Sequence, residues 1–195
     1  MANKILLDEM DGTPKQICFA DHAGDFSPTT ANDLRKTTDG SQETDCQLSM
    51  ASVANNAARQ SAKVDLGSVR AQAYALRAAL EFAATPTAGN TVEFYWAPSQ
   101  SATAGNGNPA NASGSDAAYS GYSSNLDASV KQLVYIGSMI VTAQATATVQ
   151  VAEAGMLVPT ERYGSLIVYN KSGAAIHSDD VECNIVLDPI YDEVQ

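Results

Sequence analysis

The sequence is short of imidazole, thiol and positive charge. Its 195 residues include two histidines, three cysteines and 11 basic side chains against 22 acidic ones, a formal net charge of −11. That excess of acid argues against nucleic acid and anionic lipid as partners, because both are held by clustered Lys and Arg. No apolar run approaches the ~20 residues that a membrane-spanning helix needs, and no basic segment followed by an apolar stretch opens the chain. A soluble chain without a secretion signal is therefore expected. Also missing are a Gly-rich phosphate loop ahead of Lys-Ser or Lys-Thr and a Gly-x-Ser-x-Gly nucleophile elbow. Gly105-Asn-Gly107 lies in a loop with no helix start behind it, and Ser113-Gly-Ser-Asp116 is turn chemistry.

The few reactive side chains are scattered. Cys18, Cys46 and Cys183 have no CxxC partner and no metal-ligand spacing. Reduced, buried thiols are the expectation, with a crosslink (Cys18 to Cys46, or between subunits) as the sharper alternative. His22 sits in the acidic stretch Asp21-His22-Ala23-Gly24-Asp25, and His177 in a turn ahead of Asp179 and Asp180. Each reads as a solvated surface group before it reads as a base. The carboxylate groupings Asp179-Asp180 and Asp188 with Asp192-Glu193 read as an acidic turn and tail rather than a calcium site or a glycosidase pair. No catalytic residue, cofactor or metal site is assigned, and a hydrolase would have to recruit a poorly placed histidine.

What the chain does have is strand patterning. Hydrophobic residues make up 45% of it, enough for one packed core. Residues 1–45 hold nine of the 22 acids, and their clear apolar clusters are Ile5-Leu6-Leu7 and Ile17-Cys18-Phe19. They read as an extended N-terminal arm whose Ile5, Leu6, Leu7, Ile17 and Phe19 dock as short added strands on a neighbouring subunit. Residues 46–195 read as the domain. Tyr74–Phe82 is alanine-rich and would score as helix. Yet Tyr74, Leu76, Ala78, Leu80 and Phe82 alternate with Arg77 and Glu81, so the period predicts a strand. Thr91–Trp96 alternates likewise, burying Phe94 and Trp96, and the two segments read as an antiparallel hairpin.

Residues 98–121, rich in Ser, Gly, Asn and Ala, read as a long exposed loop that is either mobile or docked outside the domain. Ser124-Asn-Leu-Asp127 has capping-box spacing and predicts a helical turn. Further strands are expected at 47–53, 60–66, 133–141, 146–152, 165–170 and 181–187, with Pro189 helping to stop the last. Strands without βαβ alternation predict an all-β antiparallel sandwich, with a jelly roll as first choice. Tyr95, Tyr119 and Tyr122 are candidate interface anchors, tyrosine being favoured there.

Four strings carry a resemblance: Ala57-Ala-Arg-Gln-Ser-Ala-Lys-Val-Asp-Leu66, Thr91-Val-Glu-Phe-Tyr-Trp-Ala-Pro-Ser99, Ser115-Asp-Ala-Ala-Tyr119 and Arg162-Tyr-Gly-Ser-Leu-Ile-Val-Tyr-Asn-Lys-Ser-Gly-Ala-Ala175. Over about residues 25–195 the chain resembles small virion-associated proteins of tailed bacteriophages. The resemblance implies a non-enzymatic particle component, located in the virion and assembled in the host cytoplasm. A capsid decoration or cement protein is the first reading, with copies of itself (a trimer favoured) and the major capsid protein or neck and tail proteins as partners. A neck, collar or tail component is the alternative, and a carbohydrate- or receptor-binding module resting on the tyrosines is a further one.

Overall fold

The computed structural model describes residues 15–21, 34, 43–68, 70–179 and 182–190. Eleven strands are β1 (Gln16–Ala20), β2 (Glu43–Gln47), β3 (Ala57–Gln60), β4 (Val64–Asp65), β5 (Ala73–Leu80), β6 (Thr91–Ser99), β7 (Ala117–Tyr119), β8 (Val134–Ile140), β9 (Gln150–Leu157), β10 (Tyr163–Lys171) and β11 (Asn184–Ile190). They pair in the order β2-β1-β11-β5-β9-β8-β6-β10-β3-β7, with β4 added to β10. Among the described residues every pairing is antiparallel except β1 with β2. The chain is all-β and sandwich-like; the pairing does not by itself establish a jelly roll.

Alternation explains β5 and β6. Tyr74, Leu76, Ala78 and Leu80 point into the core, as do Val92, Phe94 and Trp96. The inward stripe overrides the helix propensity of the alanines, because only a strand puts every second residue on one face. The hairpin expectation fails, however. β5 pairs with β11 and β9, while β6 pairs with β10 and β8, so both edges of each strand are taken by others. Period two names a strand's buried face and says nothing about its neighbour.

The long sheet folds over at one corner. β8 and β9 pair with each other at Gly137 and Gly155 alone. Beside this point both strands bulge, β9 at the register shift opposite Leu76 and Arg77, β8 at the one opposite Phe94 and Tyr95. Such bulges bend strands sharply enough to turn a sheet's corner. A Cβ on Gly137 would collide with the Ala154 carbonyl and one on Gly155 with the Ile136 carbonyl, so the two backbones can cross only where both residues are glycine. At the opposite side the ends of the sheet meet: Ala62 N–H donates to Gln47 O at 2.8 Å, and Cys46 Sγ to Ala62 O at 3.2 Å. The main core is shared by Ile17 and Phe19 of β1, Leu76 and Leu80 of β5, Trp96 of β6 and Leu166 of β10.

The arm boundary near residue 45 is corrected by β1. It lies inside the sheet, between β2 and β11, and all five of its residues are buried. Ile17 and Phe19 face the main core, while Cys18 and Ala20 pack with Val186 on the other side beneath Leu34. The segment thus joins a core whose other residues come from far along the chain, which its own composition could not reveal.

The loop at 98–121 is also corrected. It docks on its own domain, where β7 pairs with β3, and Ala110, Ala112 and Tyr119 cover the outer face of β6 and β10. Helix α1 (Leu126–Ser129) follows, capped by Asn125 rather than Ser124, with Asn125 Oδ1 accepting from Ala128 N at 3.2 Å. Other boundaries shift. The expected strand 47–53 ends at Gln47, 60–66 divides into β3 and β4, 146–152 becomes β9, and Pro189 lies within β11 opposite Tyr74.

Candidate interaction surface

The side chains singled out in the sequence do not assemble into one site. Ile5, Leu6, Leu7 and His22 lie outside the described residues. Ile17 and Phe19 are only 2% and 1% exposed and are spent on this chain's own core. Tyr95 and Tyr119 are buried too, which removes them as surface anchors. Tyr95 OH donates to Glu93 Oε2 at 2.7 Å; burial, then that bond and the Glu93 charge, hold its phenol far above its ordinary pKa. Tyr119 OH donates to the Ala110 carbonyl at 2.7 Å, and burial pushes its pKa up to about 12. An outer strand face meets solvent only if nothing folds over it, and here the 98–121 loop and the α1 region cover it. Tyr122 alone of the three is exposed, at 52%.

All three cysteines are buried thiols outside any disulfide. Burial raises the Cys46 pKa to about 12, the opposite of what a reactive thiolate needs. His177 stands 4.0 Å from Glu81 Oε2, and its Nδ1 accepts from Asp179 N at 3.1 Å. Burial raises the Glu81 carboxyl, the His177 charge opposes that rise, and Glu182 and Asp179 add to it. Among the described residues no three His, Cys, Asp or Glu side chains form a possible metal set, and no helix is long and apolar enough to cross a membrane.

One cation is organised in a way that composition did not suggest. Lys63 Nζ donates to Ser99 Oγ, Ser101 O, Thr103 O and Asn106 O at 2.8, 3.0, 2.8 and 2.8 Å. The ammonium takes the place of a bound cation at the centre of the 99–107 turn. Asn108 Nδ2 continues the scaffold by donating to Ala104 O and Ala112 O.

The surface that stands apart is the β8–β9 hairpin. Of eight large apolar side chains exposed among the described residues, six lie on it or just beyond it: Val134, Tyr135, Ile140, Val151, Met156 and Val158. Ile140 is 66% exposed and Met156 56%. From Leu133 to Thr160 the chain carries a single charged residue, Glu153. Beyond the Gly137–Gly155 crossing the two strands splay, so each has one edge unpaired with the other. They are rejoined at the tip by Gln150, whose side-chain amide accepts from Thr142 N at 2.9 Å and donates to Thr142 O at 3.0 Å. Between lies an open groove of about 280 Å³, lined by residues that include Met139, Ile140, Thr148 and Val151. Single exposed apolar residues are ordinary, but six on two neighbouring strands whose one charge is Glu153 mark an interaction surface. The gap in charge was visible in the sequence; that its apolar residues face outward depended on the two bulges.

Comparison with known proteins found no matching family model, no matching curated protein and no matching solved structure.

Proposed function

We propose that the protein is a non-enzymatic structural component of a tailed-phage virion, first of all a capsid decoration or cement protein that works through contacts with its own copies and with particle neighbours. The observation that carries the reading is the concentration of exposed apolar side chains on one hairpin, β8–β9, of an otherwise strongly acidic chain. The string resemblance to virion-associated proteins supports it independently. A rigid all-β body with an uncharged face suits a part that adds contact area to a particle. A tail, collar or neck position uses the same surface and remains the alternative. The carbohydrate- or receptor-binding reading is left with Tyr122 as the exposed one of its three tyrosines, because Tyr95 and Tyr119 are buried with their hydroxyls committed. Quantitative mass spectrometry of purified particles tests the proposal. A fixed copy number per particle that survives a salt wash is the expected result; absence from washed particles would overturn it.

A further inference from the structure

The β8–β9 face has an occupant that its chemistry specifies. We infer that it is a contact between copies of this chain, in which a second copy seats its own β8–β9 hairpin against the splayed edges of the first. The inference rests on the assembly role proposed above and names the partner. Two bodies each carrying a formal charge of −11 repel over most of their surfaces. They can approach at least cost where charge is absent, and the stretch from Leu133 to Thr160 holds only Glu153. A strongly basic partner would find almost nothing to pair with there, whereas an uncharged face of the same kind is complementary to it.

The backbone points the same way. Strands left at an edge are normally protected by lysine, proline or an inward-facing charge. On β8 there is no charged residue and no proline, and on β9 only Glu153. Beyond Gly137–Gly155 no ladder pairing joins the two strands, whose facing edges are flanked by the exposed Ile140 and Val151, an arrangement that can accept another strand. The groove between them is open to solvent and shallow, suited to side chains from an apposed hairpin rather than to an enclosed small molecule.

Sedimentation velocity on the full chain, with and without substitutions, tests this. Wild type is expected to sediment as an oligomer at micromolar concentration. Ile140→Glu and Met156→Glu are expected to raise the dissociation constant by about 100-fold, as charges do at an apolar interface centre. Both side chains are exposed, so far-UV circular dichroism and melting should stay as in wild type. Tyr122→Ser, an equally exposed apolar position elsewhere, should leave assembly untouched. A wild type that is monomeric at 100-fold higher concentration overturns the inference, as does an oligomer dissociated by Tyr122→Ser and not by Ile140→Glu. Should a charged variant fail to fold, hydrogen exchange on wild type decides. Protection at residues 138–142 and 150–154 that rises with protein concentration supports the contact, and concentration-independent exchange there overturns it. Failure of the virion role is read separately, from particle composition, and leaves the oligomeric state unaffected.

Discussion

Lys63 does at residue scale what a metal ion does in many loops. Its ammonium meets four oxygens drawn from an eight-residue span of chain, 99–106, that has almost no apolar side chains to anchor it. Lys63→Met keeps the length of the stem and removes the donors. It should cost about 2–3 kcal/mol, the range for losing hydrogen bonds to a charged group, and should expose 99–107 to limited proteolysis. An unchanged digestion pattern would show that Asn108 and β7 hold the loop without it. Glu81 gives a second residue-scale expectation, with a definite sign. Its folded-state pKa is raised by burial, so its ionised form disfavours folding above that pKa. This penalty fades as pH falls and is gone below the unfolded value of about 4.5, where both states are protonated. Glu81→Gln should therefore melt higher than wild type at pH 7 and equally at pH 4, where both forms are neutral. A variant that melts lower at pH 7 would mean that the pairing with His177 outweighs burial.

At the scale of elements, β1 is where composition and structure part. Ile17-Cys18-Phe19 stands among acids and turn residues, and nothing local says that β2, β11 and Leu34 will enclose it. Phe19→Ala should cost about 3–5 kcal/mol, as for a large core side chain, and deletion through Ala20 should abolish folding. A docking arm would instead leave the melting temperature of the isolated chain unchanged. Elements with a sustained period of two were legible: β5 and β6 stand within a few residues of where alternation puts them, and β8 and β10 lie close to the strands expected at 133–141 and 165–170. Their neighbours were not, because register and order depend on the paired bulges and on the Gly137–Gly155 crossing, which no single strand encodes. The same limit applied to the surface. Tyr95 and Tyr119 have the side-chain chemistry of interface anchors, but whether an outer face meets solvent was decided by the 98–121 loop folding back over it. The β8–β9 face was partly legible, as a gap in charge, and its outward presentation was not.

For the whole molecule, the distribution of charge predicts how association responds to salt. If copies meet through β8–β9, the contact itself holds little charge, while the bodies it joins are each strongly negative. Their repulsion reaches across the gap at low ionic strength, where the screening length is about 30 Å, and is largely quenched near 0.15 M salt, where it is about 8 Å. Added sodium chloride should therefore strengthen association over that range, the reverse of an interface built from ion pairs. Glu153 is the one like charge brought close by the contact, so Glu153→Gln should tighten association most at low salt and least at high salt. Lowering pH towards the sequence isoelectric point of about 4.4 should act in the same direction as salt, because it removes charge from both bodies. Sedimentation equilibrium across salt and pH series, on wild type and Glu153→Gln, measures all three. Association that weakens with salt and ignores Glu153 would place the contact on a charged face, and the splayed hairpin would then be an edge protected only by the repulsion between bodies of the same sign.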